Sequence, residues 1–140
     1  MQVFHVEQTI DRPVDQVWKT LTDWDDAAAW MAHAETVSAD GDTVPGTTVS
    51  FHTRGKTRTS TITAVDPGRS TTLTSTQGGV TADYTYTVQP TGEQTTVALT
   101  VDCATRGLWR LAEPALHRFM RKADSGQLQA LQRHIERDRR

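Results

Sequence analysis

Cysteine is almost absent from this chain of 140 residues, with Cys103 as the one example. A single thiol cannot build an internal disulfide framework or a multi-cysteine zinc cluster, and we interpret Cys103 as a small core residue. Long apolar runs are also missing, so no segment has the length of a membrane span. The first 25 residues lack the pattern of a signal peptide. These absences predict a single cytoplasmic domain over residues 1–140.

The chain has no overall excess of positive charge, since its formal net charge is −2. This balance argues against a generally basic nucleic-acid binder. Residues 106–140 nevertheless hold nine Lys and Arg against four Asp and Glu, whereas residues 1–105 hold six against thirteen. We interpret the basic segment as a solvated helix face, with a surface for anionic membrane lipids as the alternative. RNA binding is not favoured, because residues 120–140 contain no aromatic side chain for base stacking.

Threonine is abundant, with 24 copies, most of them between Thr36 and Thr105. Threonine is β-branched and favours strands. Turn signals such as Asp66-Pro67-Gly68 and Thr91-Gly92 divide this region at intervals of about 10–13 residues, the rhythm of antiparallel hairpins. The pattern predicts an antiparallel sheet of six or seven strands.

Alternation within these strands predicts one apolar and one polar face of the sheet. The polar parity carries residues such as Ser50, His52, Asp83 and Thr85. The apolar parity comprises Val49, Phe51, Ile62, Ala64, Val80, Ala82, Tyr84, Tyr86, Val88, Val97, Leu99, Val101 and Cys103.

Helical patterns lie on either side of this region. Val3–Ile10 alternates like a strand, and Pro13 then precedes apolar residues at helical spacing through Leu21. A second short helix is predicted through Trp30. From Leu108 to Ile135 the apolar spacing is again helical, which predicts one long C-terminal helix. The element order is therefore strand, two short helices, several strands and a long helix.

One helix, ~10–12 Å in diameter, cannot cover the whole face of a wide sheet unless the sheet curls round it. A curled sheet that grips one helix tends to leave a cavity between the two layers. The element order therefore predicts an internal pocket for a small molecule, although side chains could also fill that space.

The start of the chain resembles the START-like superfamily, which includes polyketide cyclase/dehydrase and lipid-transport proteins. The resemblance is carried by Val6–Trp18 (VEQTIDRPVDQVW), Leu21-Thr22-Asp23 and Trp30-Met31. The stretch from Gly107 to Ile135 is similar to the closing helix of that superfamily. The resemblance implies an α+β helix-grip fold, in which a curved antiparallel sheet wraps round the C-terminal helix and encloses an apolar ligand cavity. It transfers no catalytic residue.

Candidate ligand-binding residues follow from parity and position. Trp24, Trp30 and Met31 lie on or after the second short helix, where they form either a cavity lid or packing contacts with the sheet. The remaining candidates have the inward parity of the sheet or lie on the apolar face of the last helix, and they are cavity lining or ordinary core: Phe51, Tyr84, Tyr86, Leu99, Val101, Leu111, Ala115 and Phe119.

The sequence contains no recognisable catalytic or metal motif. None of the five histidines has the spacing of a metal site, and no nucleophile elbow, phosphate loop or dinucleotide fingerprint is present. We therefore predict no cofactor and favour a binding module for a small, largely apolar molecule, such as a lipid, a polyketide or an aromatic compound. One alternative is a cyclase or aromatase that uses Tyr84, Tyr86 and His33 for proton transfer. Another is an interaction protein that docks through its basic C-terminal helix.

Overall fold

Seven strands and three helical segments make up the described part of the chain. The computed structural model describes residues 2–30, 35–53, 55–77, 80–105 and 127–137. In chain order the elements are β1 (Gln2–Ile10), α1 (Val14–Leu21), a 3₁₀ helix (Trp24–Ala29), β2 (Thr36–Ala39), β3 (Thr48–Thr53), β4 (Lys56–Asp66), β5 (Ser70–Gln77), β6 (Val80–Thr91), β7 (Gln94–Thr105) and α2 (Gln127–Arg137).

The strands form one antiparallel sheet in the order β1-β7-β6-β5-β4-β3-β2. Strands β2 to β7 follow one another as neighbours, and β1 closes the series by pairing with β7. The hairpin turns lie where the sequence predicts them, and Gly68 and Gly92 have the positive φ angles (77° and 65°) that favour glycine. The predicted α+β class and the six- to seven-stranded sheet are confirmed.

Strand β4 contains an irregularity that corrects one parity assignment. The register of β4 against β5 shifts between Ile62 and Ala64, so a bulge lies at Thr63. A bulge adds one residue to a strand, bends it and reverses the faces that follow. Ile62 is buried as predicted, but Ala64 is exposed and Val65 packs against the core instead. The prediction that Ala64 faces inward was therefore wrong.

The helical segments bury the faces that their spacing indicates. Val17 and Leu21 of α1 are fully buried, with Val14 and Trp18 packed beside them. Leu128, Leu131 and Ile135 place one apolar stripe of α2 in the same core. The predicted long C-terminal helix is described only over Gln127–Arg137. In the described ranges, no helix is both long and apolar enough to cross a membrane.

The face of the sheet whose side chains share the core with the helices, which we call the concave face, differs between its two ends. At what we call the closed end, where β1 ends and β7 begins, Ile10, Val88 and Val97 are buried in one cluster with α2. At the opposite end, the loop end, Phe51 and Val80 lie near the β3–β4 and β5–β6 connections and are only partly buried. Partly buried apolar side chains of this face thus occur at the loop end.

Candidate ligand-binding site

Four of the predicted site residues lie side by side in the centre of the concave face. In the strand register Tyr86 is opposite Leu99, and Tyr84 is opposite Val101. The two tyrosines are two residues apart on β6, so they point to the same face of the sheet. The sheet thus brings these residues together as the alternation predicts.

The degree of burial divides these four residues and Phe51, another predicted site residue, into two kinds. Leu99 and Val101 are completely buried, and Tyr86 is 2% exposed. Tyr84 and Phe51 are only partly buried and pack against the edge of the same core cluster. The partly buried side chains of this apolar wall thus lie on β3 and β6 towards the loop end, whereas Val101 and Cys103 of β7 stay buried.

The 3₁₀ helix and the residue after it contribute two tryptophans that are both buried. Trp24 donates a hydrogen bond from Nε1 to Thr43 Oγ1 at 3.1 Å. Trp30, which is 1% exposed, meets Tyr86 edge-to-face, with ring centroids 6.1 Å apart and an interplanar angle of 84°. The contact places the end of the 3₁₀ helix against the middle of the sheet, and it links two of the predicted site residues.

Buried polar atoms without a hydrogen-bond partner are rare in folded proteins. Within the described residues, two such side-chain atoms are found: Arg12 Nε and Trp30 Nε1. Arg12 has other donors that are in use, since Nη2 donates to Glu136 O at 2.9 Å and Nη1 to Asp11 O. The indole nitrogen is the one donor that the Trp30 side chain has.

Three polar residues on the concave face were missed by the sequence prediction. Ser60 is buried and shares a hydrogen bond with Ser75 of β5. Arg58 lies opposite Phe51 at the loop end and is exposed. Arg58 and Ser60 have the same parity as Ile62, so that parity could have identified them. Their polar side chains hid the pattern, because a strand with few apolar residues shows only weak alternation.

A hydrogen-bond network fastens α2 to the closed end. Glu136 accepts hydrogen bonds at Oε2 from Asp11 N at 3.1 Å and from Gln132 Nε2 at 3.0 Å. Buried Thr95 donates to Arg12 O at 2.8 Å. The donation from Arg12 to Glu136 O satisfies one carbonyl that the C-terminal end of α2 leaves open, and the contacts at Asp11 N and Arg12 O pair backbone groups of the β1–α1 connection. The network gives this end a structural role.

A second connection joins α2 to the 3₁₀ helix. His134 Nε2 lies 2.5 Å from Asp26 Oδ2, with 16% of the histidine side chain and 40% of the aspartate side chain exposed. A depression of about 220 Å³ lies beside this pair and is lined by Ala29, Ala130, Arg133 and His134. A larger groove of about 660 Å³ lies outside the closed end, between the β1–α1 connection and the β6–β7 turn. Both are surface features with charged linings, and neither includes a predicted site residue.

The outer face of the sheet offers no metal centre in the ranges that are described, because no group of three or more metal-ligating side chains occurs there. His5 and His52 contact threonine hydroxyls on neighbouring strands. Cys103 is buried, as its interpretation as a core residue requires.

Several predicted positions lie outside the described residues: Met31, Leu111, Ala115 and Phe119, the alternative proton donor His33, and most cations of the basic C-terminal segment.

Comparison with known proteins identifies the fold. The family model for polyketide cyclase / dehydrase and lipid transport matches residues 1–136. No curated protein sequence matches the chain. The Zhui aromatase/cyclase from Streptomyces sp. R1128 is 24% identical, with a TM-score of 0.76 over 98% of this chain and 96% of that one.

Two further solved structures share this fold. The protein TTHA0849 from Thermus thermophilus is 17% identical, with a TM-score of 0.76 and coverage of 97% of this chain and 98% of that one. Norcoclaurine synthase from Thalictrum flavum, solved in complex with dopamine and hydroxybenzaldehyde, is 16% identical, with a TM-score of 0.72 and coverage of 98% and 87%. At these identities the similarity is one of fold.

Proposed function

Because the chain belongs to the polyketide cyclase / dehydrase and lipid transport family, we propose that it binds a small, largely apolar molecule between the concave face of its sheet and its C-terminal helix. The ligand class is a lipid, a polyketide or an aromatic compound. The observation that carries this proposal is the uneven burial of the concave face. Phe51, Val80 and Tyr84 are only partly buried and lie towards the loop end, although Ala82 and Cys103 of the same face are buried there.

Partly buried apolar side chains on a concave surface supply the energy for such binding. Covering them with a ligand removes apolar area from water, at ~25 cal/mol per Å² before the costs of association. Two structural relatives support the ligand class, since one is named an aromatase/cyclase and the other was solved with two small aromatic molecules.

Binding can be tested with protein as purified and with a fluorescent lipid. Native mass spectrometry should detect a co-purified small molecule, and the stripped protein should bind the lipid at one saturable site. Phe51→Ala should weaken that binding about tenfold, because it removes an aromatic side chain from the wall. Val44→Ala is the control, since Val44 is an exposed apolar residue in the connection between β2 and β3. Unsaturable binding, or identical binding by Phe51→Ala and wild type, would contradict the proposal.

A cyclase or aromatase reaction in the same place is the second candidate. Its support is the adjacent pair of tyrosines on the inner face together with the family's description. Such an enzyme folds a reactive chain in a shaped pocket and needs one or two polar groups for proton transfer. The enzyme would be favoured if the wild-type protein turns over a poly-β-ketone and Tyr86→Phe still binds this substrate but no longer turns it over. Binding without turnover would favour the carrier.

A further inference from the structure

The indole N–H of Trp30 is a buried hydrogen-bond donor to which the described part of the chain offers no acceptor. Leaving such a donor unpaired costs free energy comparable to a lost hydrogen bond. Trp24 stands six residues earlier and shows that the fold can satisfy a buried indole, because its Nε1 is bonded to Thr43. The two tryptophans thus differ in whether the indole N–H has an acceptor within the described residues. A ligand could supply the acceptor that the Trp30 N–H lacks.

The surroundings of Trp30 connect it with the proposed binding surface. Its ring contacts Tyr86 edge-to-face. Tyr84 lies beside Tyr86 on the same face, one step nearer the loop end, and is only partly buried. An apolar molecule that covers Tyr84 would therefore approach the Trp30–Tyr86 pair with its inner end.

We propose that Trp30 recognises the ligand by donating a hydrogen bond from Nε1 to a neutral carbonyl oxygen. This inference rests on the proposed function and specifies its ligand as an apolar or aromatic ketone or ester. A neutral oxygen fits better than a carboxylate, because one uncharged N–H cannot offset the cost of removing an ion from water. A molecule without an acceptor would cover the same wall but leave the donor unpaired.

A matched pair of ligands isolates this hydrogen bond. The ketone 2-acetylnaphthalene and the alkene 2-isopropenylnaphthalene have nearly the same shape, and they differ in the carbonyl oxygen that the alkene replaces with a CH₂ group. Wild-type protein should bind the ketone about tenfold more tightly than the alkene. Trp30→Phe should remove this preference by weakening ketone binding. Trp18→Phe is the control and should keep the preference, because Trp18 lies on α1 and is not a candidate ligand-binding residue.

A spectroscopic readout separates recognition from packing. In ¹⁵N-labelled protein the indole signal of Trp30 is assigned by its loss in Trp30→Phe. Addition of the ketone should shift its proton to higher frequency, as a new hydrogen bond requires, whereas the alkene should produce a smaller change. Should Trp30→Phe fail to fold, a tryptophan analogue with sulfur in place of the N–H at this position keeps the shape and removes the donor.

The outcomes distinguish this inference from the function on which it rests. Saturable binding of both ligands with equal affinity would overturn the role of Trp30 and leave the binding function in place. The face of the Tyr86 ring would then be the acceptor for its N–H. Absence of binding by either ligand, together with no binding of the fluorescent lipid, would overturn both.

Discussion

The two ends of the concave face use the same kinds of side chain for different purposes. At the closed end, aliphatic residues of β1, β6 and β7 lie in one core cluster with α2, and a polar network around Arg12 and Glu136 joins the helix to the β1–α1 connection. At the loop end, the face carries partly buried Phe51 and Tyr84 with Arg58 beside them. Ile10, Val88 and Val97 are thus fully packed at the closed end, and the proposed function assigns the ligand to the partly buried Phe51 and Tyr84.

The largest expected difference between the ends is in the free energy of unfolding. Leu131→Ala removes a fully buried side chain from α2 and should cost about 3–4 kcal/mol, since the fold can only partly collapse into the space. Phe51→Ala should cost about 1–2 kcal/mol, because its side chain is only partly buried. Urea unfolding with an unchanged m-value measures both. Equal losses would mean that the loop end is packed as tightly as the closed end.

The polar network gives a smaller effect that is specific to the closed end. Thr95→Val keeps the shape of a buried side chain but leaves the Arg12 carbonyl without its donor, which should cost about 1–2 kcal/mol. Thr91→Val removes an exposed hydroxyl of the same hairpin and should change stability by less than about 0.5 kcal/mol. Thermal unfolding of the two variants compares them directly. Equal stability of Thr95→Val and Thr91→Val would contradict a contribution of the network to the free energy of unfolding.

The smallest expected effect concerns the contact between α2 and the 3₁₀ helix. Asp26→Ala breaks the pair with His134 and should cost about 0.5–1 kcal/mol, a modest value because the carboxylate is 40% exposed and solvent screens it. Asp25→Ala removes a carboxylate from the same first turn and serves as the control. Chemical denaturation of the two variants compares them directly. Equal stability of Asp26→Ala and Asp25→Ala would contradict a contribution from the pair with His134.

Some features of the site follow from local sequence. The alternation of Tyr84, Tyr86, Leu99 and Val101 predicts that they share a face, because successive side chains of a strand point to opposite sides. The pairing that places Tyr86 opposite Leu99 depends on the turn between β6 and β7, which Thr91-Gly92 marks in the sequence. Other features required the coordinates. The bulge at Thr63 turns Ala64 outward, and the weak pattern of β4 gives no indication of it.

Buried donors are the clearest case of what a pattern cannot predict. Trp24 and Trp30 look alike in sequence, as large aromatic residues around a short helix. Only their positions in space show that one indole reaches Thr43 and that the other meets the ring of Tyr86. Hydrogen-bond partners come from distant segments, so no local pattern can distinguish the two residues.

The sequence by itself determined the class of the fold, because residue periodicity and turn chemistry act over a few neighbours and are written in the chain. It predicted six or seven antiparallel strands, two short helices after the first of them and an apolar helix at the end. Only the tertiary structure decided which inward side chains of the sheet are fully covered and which buried indole N–H, among the described residues, remains without an acceptor. Burial and hydrogen-bond satisfaction depend on what the whole chain brings to one place.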